Sequence, residues 1–170
     1  MNTDASTEKP NLVRIAEHLR GHDVEFMVIG GQAAVLLGSP VATFDVDLCY
    51  RRTKENILNL AEALRELHPT LRGAPPDLPF RLDAEGLALG ANFTFDTDYG
   101  PLDLLAWVEP FGTYEALLPG SELIHVGGIE LRVIGLDDLI AIKRHIRRSK
   151  DQAILHQLEA LKKLREEEKN

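Results

Sequence analysis

A pair of glycines directly follows a short apolar segment, and this junction constrains the fold more than any other feature of the chain. Residues 25–29 are mainly apolar and predict a buried strand, and residues 32–37 predict a short helix that ends at Gly38. Gly30 and Gly31 permit a tight strand-to-helix turn in which the backbone can approach a phosphate group. A plain tight turn is the alternative interpretation. The pattern is neither the dinucleotide-binding fingerprint nor a P-loop, because the further glycine of the first and the Gly-Lys-Ser/Thr of the second are absent.

The other segments alternate between helix-like and strand-like patterns. Apolar spacing predicts a first helix over residues 12–19, and residues 44–50 predict a second strand in which Phe44, Val46 and Leu48 face the core. The remaining predicted elements are a helix capped by Thr53, an irregular connection at 68–79, a hairpin of strands 93–97 and 102–108, a hairpin of strands 122–126 and 129–134, and helices at 136–147 and 151–163. This order predicts an α/β (α+β) fold, a mixed β-sheet flanked by helices with a C-terminal helical segment.

The composition is that of a folded domain with an acidic surface. The 170 residues are 44% hydrophobic and 27% charged, which is enough to build a core. Lys and Arg number 19 against 27 Asp and Glu, a net charge of −8 that disfavours a general nucleic-acid coat protein. We expect one domain over residues 11–165, with helices from about 136, between a flexible N-terminus at 1–10 and a frayed tail at 166–170.

The cellular compartment is predicted from features that the sequence lacks. The N-terminal residues have neither the basic nor the apolar region of a signal peptide, and no apolar run approaches the roughly 18 residues of a membrane span. The single Cys49 excludes an internal disulfide and a cysteine-cluster metal site. We therefore expect a cytoplasmic protein without a membrane partner.

Two aspartates alternate on the second predicted strand. Alternate side chains share one face of a strand, so Asp45 and Asp47 point the same way. Neighbouring carboxylates repel each other and raise each other's pKa unless a cation lies between them, and oxygen ligands suit Mg²⁺ or Mn²⁺. The alternative is a solvent-facing strand that merely alternates.

A third carboxylate, Asp103, interrupts an apolar strand. A buried, unpaired carboxylate is costly, so Asp103 needs a partner. A metal shared with Asp45 and Asp47 would satisfy it, and an Arg or Lys partner or a water-facing edge position are the alternatives.

Together these residues resemble the nucleotidyltransferase superfamily typified by DNA polymerase β. The pattern of that family is Gly-Gly or Gly-Ser, a spacer, an Asp-x-Asp strand and a third Asp on a neighbouring strand. The likeness is closer to small bacterial members, the minimal nucleotidyltransferases and the AbiEii-type toxins. The matching segments are Gly30-Gly31-Gln32-Ala33, Gly38, Thr43-Phe44-Asp45-Val46-Asp47-Leu48, Leu139-Ile140-Ala141-Ile142-Lys143 and Lys150-Asp151.

The resemblance implies a nucleotidyltransferase fold and a two-metal transfer from an NTP. One Mg²⁺ or Mn²⁺ would be held by Asp45, Asp47 and Asp103 beside the attacking hydroxyl, and the other by Asp45 and Asp47 beside the triphosphate. Gly30 and Gly31 would seat the phosphates. The chain departs from the family at Val41, where many members have Arg, and at Gly31, where many have Ser.

The resemblance extends to the basic helix near the C-terminus. It implies catalytic roles for Lys143 and Asp151 and nucleotide contacts for Thr43 and Arg147, whereas Arg148 is expected to point elsewhere on the helix. The alternative is a set of cations favoured by the helix dipole at the end of a helix. We also expect the loss of Lys143 to change stability little, as for a lone cation on a helix flank.

Two further features are a pair of histidines and the single tryptophan. His18 and His22 have the i, i+4 spacing of a zinc pair, but the sequence shows no further ligand. Trp107 is expected in the core rather than as a platform on which a base stacks.

The resulting expectation is an enzyme that transfers a nucleotide from an NTP to a macromolecular acceptor, either a tRNA 3′ end or a protein hydroxyl. It would belong to a toxin–antitoxin system, as toxin or antitoxin, with a partner protein or a homodimer completing the site. One alternative is a non-catalytic, antitoxin-like module of the same fold that binds a nucleotide or a partner. A small nucleotide-sugar transferase, which also uses Asp-x-Asp, is the third hypothesis.

Overall fold

The computed structural model describes residues 9–75, 77–149 and 151–170 of the chain. The helices are α1 (Asn11–Gly21), α2 (Gly30–Leu37), α3 (Lys54–Arg65), α4 (Ala84–Leu89), α5 (Tyr114–Leu117), a 3₁₀ turn (Leu118–Gly120), α6 (Leu136–Ile146) and α7 (Asp151–Glu167). The strands are β1 (Phe26–Ile29), β2 (Val46–Tyr50), β3 (Thr70–Leu71), β4 (Asn92–Thr97), β5 (Gly100–Leu105), β6 (Glu122–Val126) and β7 (Ile129–Val133).

The seven strands form one mixed sheet in the order β3-β4-β5-β2-β1-β7-β6. Two of its central pairs, β2 with β5 and β1 with β7, are parallel, and the other pairs are antiparallel. Each parallel pair joins strands that are distant in the sequence, so helices must cross between them. The predicted mixed sheet flanked by helices is confirmed.

Helical periodicity explains how the helices pack on this sheet. In α3 the residues Ile57, Leu60, Ala61 and Leu64 recur on one side and are all buried. The helix begins where predicted, because the Thr53 side chain accepts a hydrogen bond from the Asn56 N–H. Helices α1 and α3 contact each other, and α6 contacts both α2 and α7.

The second strand is shorter than predicted. It begins at Val46, and Phe44 is 79% exposed, so the expectation that Phe44 faces the core was wrong. The alternation of residues 44–48 suggested a longer strand, but the chain enters the sheet only at Val46. Val46 and Leu48 are fully buried, as predicted.

Several other boundaries differ from the sequence prediction. Helix α2 begins at Gly30 itself, two residues earlier than expected, and β5 ends at Leu105 rather than at residue 108. The irregular stretch at 68–79 contains the short strand β3, and helices α4 and α5 were not predicted. Helix α7 continues to Glu167, into the segment expected to be a frayed tail. None of the helices described in the structure is long and apolar enough to cross a membrane.

Candidate functional site

The sheet brings Asp47 and Asp103 side by side. Asp47 lies on β2 and Asp103 on β5, and the two residues are direct partners in the parallel ladder. Directly paired residues project from the same face of a sheet. Their neighbours Val46, Leu48 and Leu104 alternate to the other face and are fully buried. The alternation therefore places two carboxylates next to each other on the face that is not packed by these apolar residues.

Asp45 precedes β2 and completes a group of three carboxylates. It is exposed, and together with Asp47 and Asp103 it lines a cavity of about 790 Å³. The structure therefore brings the three expected metal ligands to one cavity.

The carboxylate pair carries unfavourable electrostatics. Burial, the largest cause, and the neighbouring carboxylates Asp103 and Asp45 together raise the pKa of Asp47 to about 6, against the lowering effect of a hydrogen bond from the Gly31 N–H. Among the residues that the structure describes, the Asp103 Oδ1 is a buried side-chain oxygen that accepts no hydrogen bond. The Arg72 Nη1 lies 3.1 Å from this oxygen. The guanidinium therefore offsets the negative charge of Asp103, but its N–H groups are not aligned to donate a hydrogen bond to this oxygen.

These donors suit a divalent cation that prefers oxygen ligands. Such a cation would occupy the free lone pairs of Asp103 Oδ1 and would relieve the repulsion that raises the pKa of Asp47. Mg²⁺ and Mn²⁺ both prefer carboxylate oxygens. The residues present therefore fit the metals that the sequence pattern suggests.

The N-terminus of α2 faces the same carboxylates. Gly30 has φ +65°, a left-handed conformation, and a Cβ atom there would overlap the Asp47 carboxylate. At Gly31 a Cβ atom would lie only 2.9 Å from the Thr43 Cγ2. The two glycines therefore bring backbone, carboxylate and Thr43 closer together than any side chain would allow. All four residues line the cavity.

Lys143 and Asp151 form a buried ion pair across two helices. The Lys143 Nζ on α6 donates to the Asp151 Oδ1 at the start of α7, at 2.7 Å. Their side chains are 12% and 8% exposed, and both residues line the cavity. Because each charge depends on the other, the expectation that Lys143 is a lone cation on a helix flank was wrong. Lys150, matched in sequence beside Asp151, lies outside the described residues.

The structure differs from the expectation for the two arginines that follow α6. The helix ends at Ile146, and Arg147 adopts a left-handed conformation with φ 52°. Arg147 therefore leaves the helical spacing used to align it with Lys143 and lines a separate surface cleft. Arg148, expected to point elsewhere, lines the cavity.

Three side chains of the site were not assigned to it from the sequence: Arg72, Trp107 and Glu109. Arg72 lies directly after the two-residue β3, in a stretch that reads as irregular, so no periodic signal marks it. Trp107 is 50% exposed and lines the cavity, so its expected place in the core was wrong. Its indole Nε1 donates to the Glu109 Oε1 at 2.8 Å. The predicted strand 102–108 contained Trp107, whereas β5, the strand that bears Asp103, ends at Leu105 and leaves Trp107 just past its end.

Comparison with solved structures shows the same fold in three nucleotidyltransferase structures. A candidate nucleotidyltransferase (TM1012) from Thermotoga maritima is 14% identical, with a TM-score of 0.53 and coverage of 92% of this chain and 91% of that one. The lincosamide antibiotic adenylyltransferase LnuA, bound to lincomycin, is 12% identical, with a TM-score of 0.60 and coverage of 89% and 96%. The antibiotic-resistance factor ANT(2'')-Ia is 14% identical, with a TM-score of 0.56 and coverage of 93% and 90%.

These likenesses define the class of fold. Comparison of the sequence with family models and with curated proteins gives no significant match. The chain has the nucleotidyltransferase fold over nearly its whole length, as the sequence resemblance predicted. The closer likeness to AbiEii-type toxins stays a prediction.

Proposed function

We propose that this protein is a metal-dependent nucleotidyltransferase that moves a nucleotide from an NTP to an acceptor hydroxyl. The observation that carries the proposal is the juxtaposition of Asp47 and Asp103 on adjacent strands, with Asp45 lining the same cavity. Paired carboxylates at this position raise the energy of the metal-free protein, so a functional role explains them better than a structural one. The fold shared with nucleotidyltransferases supports the same reaction.

The metal site consists of Asp45, Asp47 and Asp103. These residues would hold divalent ions, which would supply positive charge to the triphosphate and lower the pKa of the acceptor hydroxyl. A lone pair of the Asp103 carboxylate that the metal ion does not occupy would accept the hydroxyl proton. The acceptor oxygen then bonds to the α-phosphorus, and the bond to pyrophosphate breaks.

The phosphates bind at the beginning of α2. Unpaired backbone N–H groups at a helix N-terminus attract anions, and Gly30 and Gly31 allow a phosphate to approach them closely. Thr43 borders this turn, and its carbonyl accepts a hydrogen bond from the Gln32 Nε2 at 2.9 Å, which links the loop before β2 to α2. Arg148 lines the cavity, and it is not the cation paired with Asp151, which is Lys143. Arg148 supplies positive charge for the triphosphate.

The charge of the cavity bears on the acceptor. Among the residues that the structure describes, its charged lining comprises five acids and two bases: Asp45, Asp47, Asp103, Glu109, Asp151, Lys143 and Arg148. Lys143 is already paired with Asp151, so the wall is acidic. Of the two macromolecular acceptors suggested by the sequence, a protein hydroxyl suits this wall better than the polyanionic 3′ end of a tRNA. A toxin–antitoxin partner protein, or a second copy of the chain, could present that hydroxyl.

A small molecule is a second candidate acceptor. The lining of the cavity also includes apolar residues, among them Leu105, Trp107 and Val108. An apolar wall beside a few polar groups is typical of sites for small amphipathic molecules. LnuA, a structural neighbour, is an adenylyltransferase of lincosamide antibiotics.

Nucleotide binding tests the proposal without knowledge of the acceptor. We expect each suitable NTP with Mg²⁺ or Mn²⁺ to raise the melting temperature, because a ligand at about 100 times its Kd adds roughly 2.7 kcal/mol. Asp45→Asn should abolish the shift without affecting folding, since Asp45 is exposed. The matched control is Asp96→Asn, which removes an exposed carboxylate that does not line the cavity.

Transfer of label then identifies the acceptor. The protein is incubated with α-labelled NTP and tRNA, with cell proteins, or with a panel of hydroxylated small molecules, and the labelled product is separated. Label in protein supports the acidic-wall argument, label in a small molecule supports the second candidate acceptor, and label in tRNA contradicts the acidic-wall argument. If no NTP–metal pair shifts the melting temperature, the alternative of a non-catalytic module that binds a partner rather than a nucleotide replaces the enzyme.

A further inference from the structure

Two histidines at the end of α1 and one glutamate at the end of α3 converge outside the cavity: His18 lies on α1, His22 directly follows it, and Glu66 directly follows α3. His18 and His22 lie one helical turn apart, and their ring centroids are separated by 4.7 Å. The carboxylate of Glu66 lies 3.8 Å from the His18 Nε2 and 3.3 Å from the His22 Nε2. One ring nitrogen of each histidine and one Glu66 oxygen all lie within 4.8 Å of one another.

We propose that His18, His22 and Glu66 form a second metal site, which binds Zn²⁺ or a similar divalent transition metal. Two imidazoles and one carboxylate are a donor set that zinc accepts, with a water molecule as the fourth ligand. Bonds of about 2.0–2.2 Å in a tetrahedral arrangement place ligand atoms about 3.4 Å apart. The observed separations are 3.8 Å from the His18 Nε2 to the Glu66 Oε2 and 3.3 Å from the His22 Nε2 to the Glu66 Oε1, so rotation of the side chains must bring one carboxylate oxygen to both histidines.

A neighbouring hydrogen bond already orients His22 for metal binding. Its Nδ1 lies 3.0 Å from the His18 carbonyl oxygen, and a carbonyl can only accept, so Nδ1 carries the proton. Its Nε2 lies 3.3 Å from the Glu66 Oε1, and a carboxylate also only accepts, so this nitrogen carries a proton that a metal ion would displace. Metal-binding histidines are commonly fixed by such a bond from the other ring nitrogen.

His18 has a structural role that competes with metal binding. Its Nε2 lies 2.8 Å from the Ala63 carbonyl, in the last turn of α3, and donates to it. Carbonyls in the last turn of a helix lack partners within the helix, so His18 stabilises the end of α3. Metal binding through Nε2 would exchange this hydrogen bond for a metal bond that still joins α1 to α3.

This site differs from the carboxylate site in place and in chemistry. None of its three residues lines the cavity. Its nitrogen donors favour zinc, whereas the oxygens of Asp45, Asp47 and Asp103 favour Mg²⁺. The expected consequence is a metal link that holds α1 on the end of α3, independent of nucleotide transfer.

Zinc titration of the whole chain, with Mg²⁺ in large excess to occupy the carboxylates, tests this inference. Competition with a chromogenic chelator should show one Zn²⁺ per chain at this site, and a hundredfold excess over Kd should raise the melting temperature by about 5–10 °C. His22→Gln and Glu66→Gln should each weaken zinc binding more than roughly 100-fold, because even residues outside the ligand shell contribute 10–100-fold.

Matched controls distinguish zinc binding at this site from zinc binding to any exposed histidine. His125 lies 3.5 Å from Glu130 but has no second histidine beside it in the part of the chain that the structure describes, so His125→Gln should leave zinc affinity unchanged. The melting temperature of each variant without zinc shows that it folds, which matters most for His18→Gln. Zinc binding that persists in His22→Gln and Glu66→Gln, or that falls equally in His125→Gln, would overturn the inference, as would no binding at all.

Discussion

Replacement of Lys143 by Met measures how much a buried ion pair contributes to stability, and an exposed ion pair between the same two helices is the comparison. The Lys143 Nζ and the Asp151 Oδ1 are 2.7 Å apart, and the side chains are only 12% and 8% exposed. Lys143→Met keeps most of the apolar stem but leaves the Asp151 carboxylate buried and unpaired. Breaking a buried pair in this way costs about 3–5 kcal/mol, a large part of the roughly 5–15 kcal/mol that stabilises a domain. We expect a correspondingly lower urea midpoint at neutral pH.

The control is the ion pair between Arg144 and Glu159, which also joins α6 to α7 at 2.7 Å but with side chains 62% and 35% exposed. Arg144→Met should cost no more than about 1 kcal/mol, because solvent screens an exposed pair. A double-mutant cycle with Asp151→Asn gives the coupling energy of the buried pair. A loss below 1 kcal/mol for Lys143→Met, with no coupling to Asp151, would refute the argument from burial.

The same cycle distinguishes a structural role of Lys143 from a catalytic one. The double variant removes both buried charges and should recover part of the lost stability. If nucleotide transfer recovers in parallel, Lys143 acts by holding α6 against α7. If transfer stays low in the stable double variant, the charges of Lys143 and Asp151 contribute to the reaction itself, as the sequence resemblance implies.

Three further predictions concern the cavity. Gly30→Ala and Gly73→Ala each introduce a side chain at positive φ, at a cost of about 1–3 kcal/mol, but only Gly30→Ala should also weaken Mg²⁺–NTP binding in a thermal-shift assay, because only its Cβ meets Asp47. Mg²⁺ affinity measured by calorimetry should fall as pH drops below about 6, where Asp47 becomes protonated; a flat profile would contradict this. Arg148→Ala should raise the Kd for NTP more than Arg147→Ala, since Arg148 lines the cavity and Arg147 does not.

The sequence predicted the fold where local signals and tertiary packing agree. The Gly127-Gly128 pair has positive φ at both positions, as the primed turn of the β6–β7 hairpin requires, and strands on both sides were predicted correctly. The apolar stripe of α3 and its Thr53 cap were likewise visible, because both depend on spacing within one segment. The side-by-side placement of Asp47 and Asp103 needs the parallel β2–β5 pairing, which no local pattern encodes.

The parts that escaped prediction depend on contacts between distant segments. Phe44 alternates like a core residue, yet the chain joins the sheet only after it. Arg72 directly follows the short β3, and its side chain contacts Asp103 on β5, with β4 between the two strands. Glu66, 44 residues after His22, becomes its neighbour only because α1 packs on α3. Sequence spacing indicates which residues share a face of one element, but it does not show which elements meet.

The most direct evidence that Asp103 serves function rather than stability would come from Asp103→Asn. In the metal-free protein, burial and the neighbouring carboxylates raise the pKa of Asp47 above its unfolded value of 3.8 to about 6. The folded state therefore binds this proton more tightly than the unfolded state, and ionisation of Asp47 lowers stability as pH rises through 6. The full shift corresponds to about 3 kcal/mol at neutral pH. Burial is its largest cause, so removal of the Asp103 charge should recover about 1 kcal/mol.

Asp103→Asn should accordingly raise the metal-free melting temperature by about 2–4 °C at pH 7 and should have little effect at pH 4, where Asp47 is protonated. Added Mg²⁺ should reverse the order, because it stabilises the wild-type protein and not the variant. Asp96→Asn is the matched control: it removes the other carboxylate bound to Arg72, whose Nε lies 3.1 Å from the Asp96 Oδ1, and leaves Asp47 untouched. If Asp103→Asn instead lowers metal-free stability more than Asp96→Asn does, the attraction between Asp103 and Arg72 outweighs the repulsion from Asp47. The carboxylate pair would then be a structural ion-pair cluster, and its placement would no longer argue for a metal.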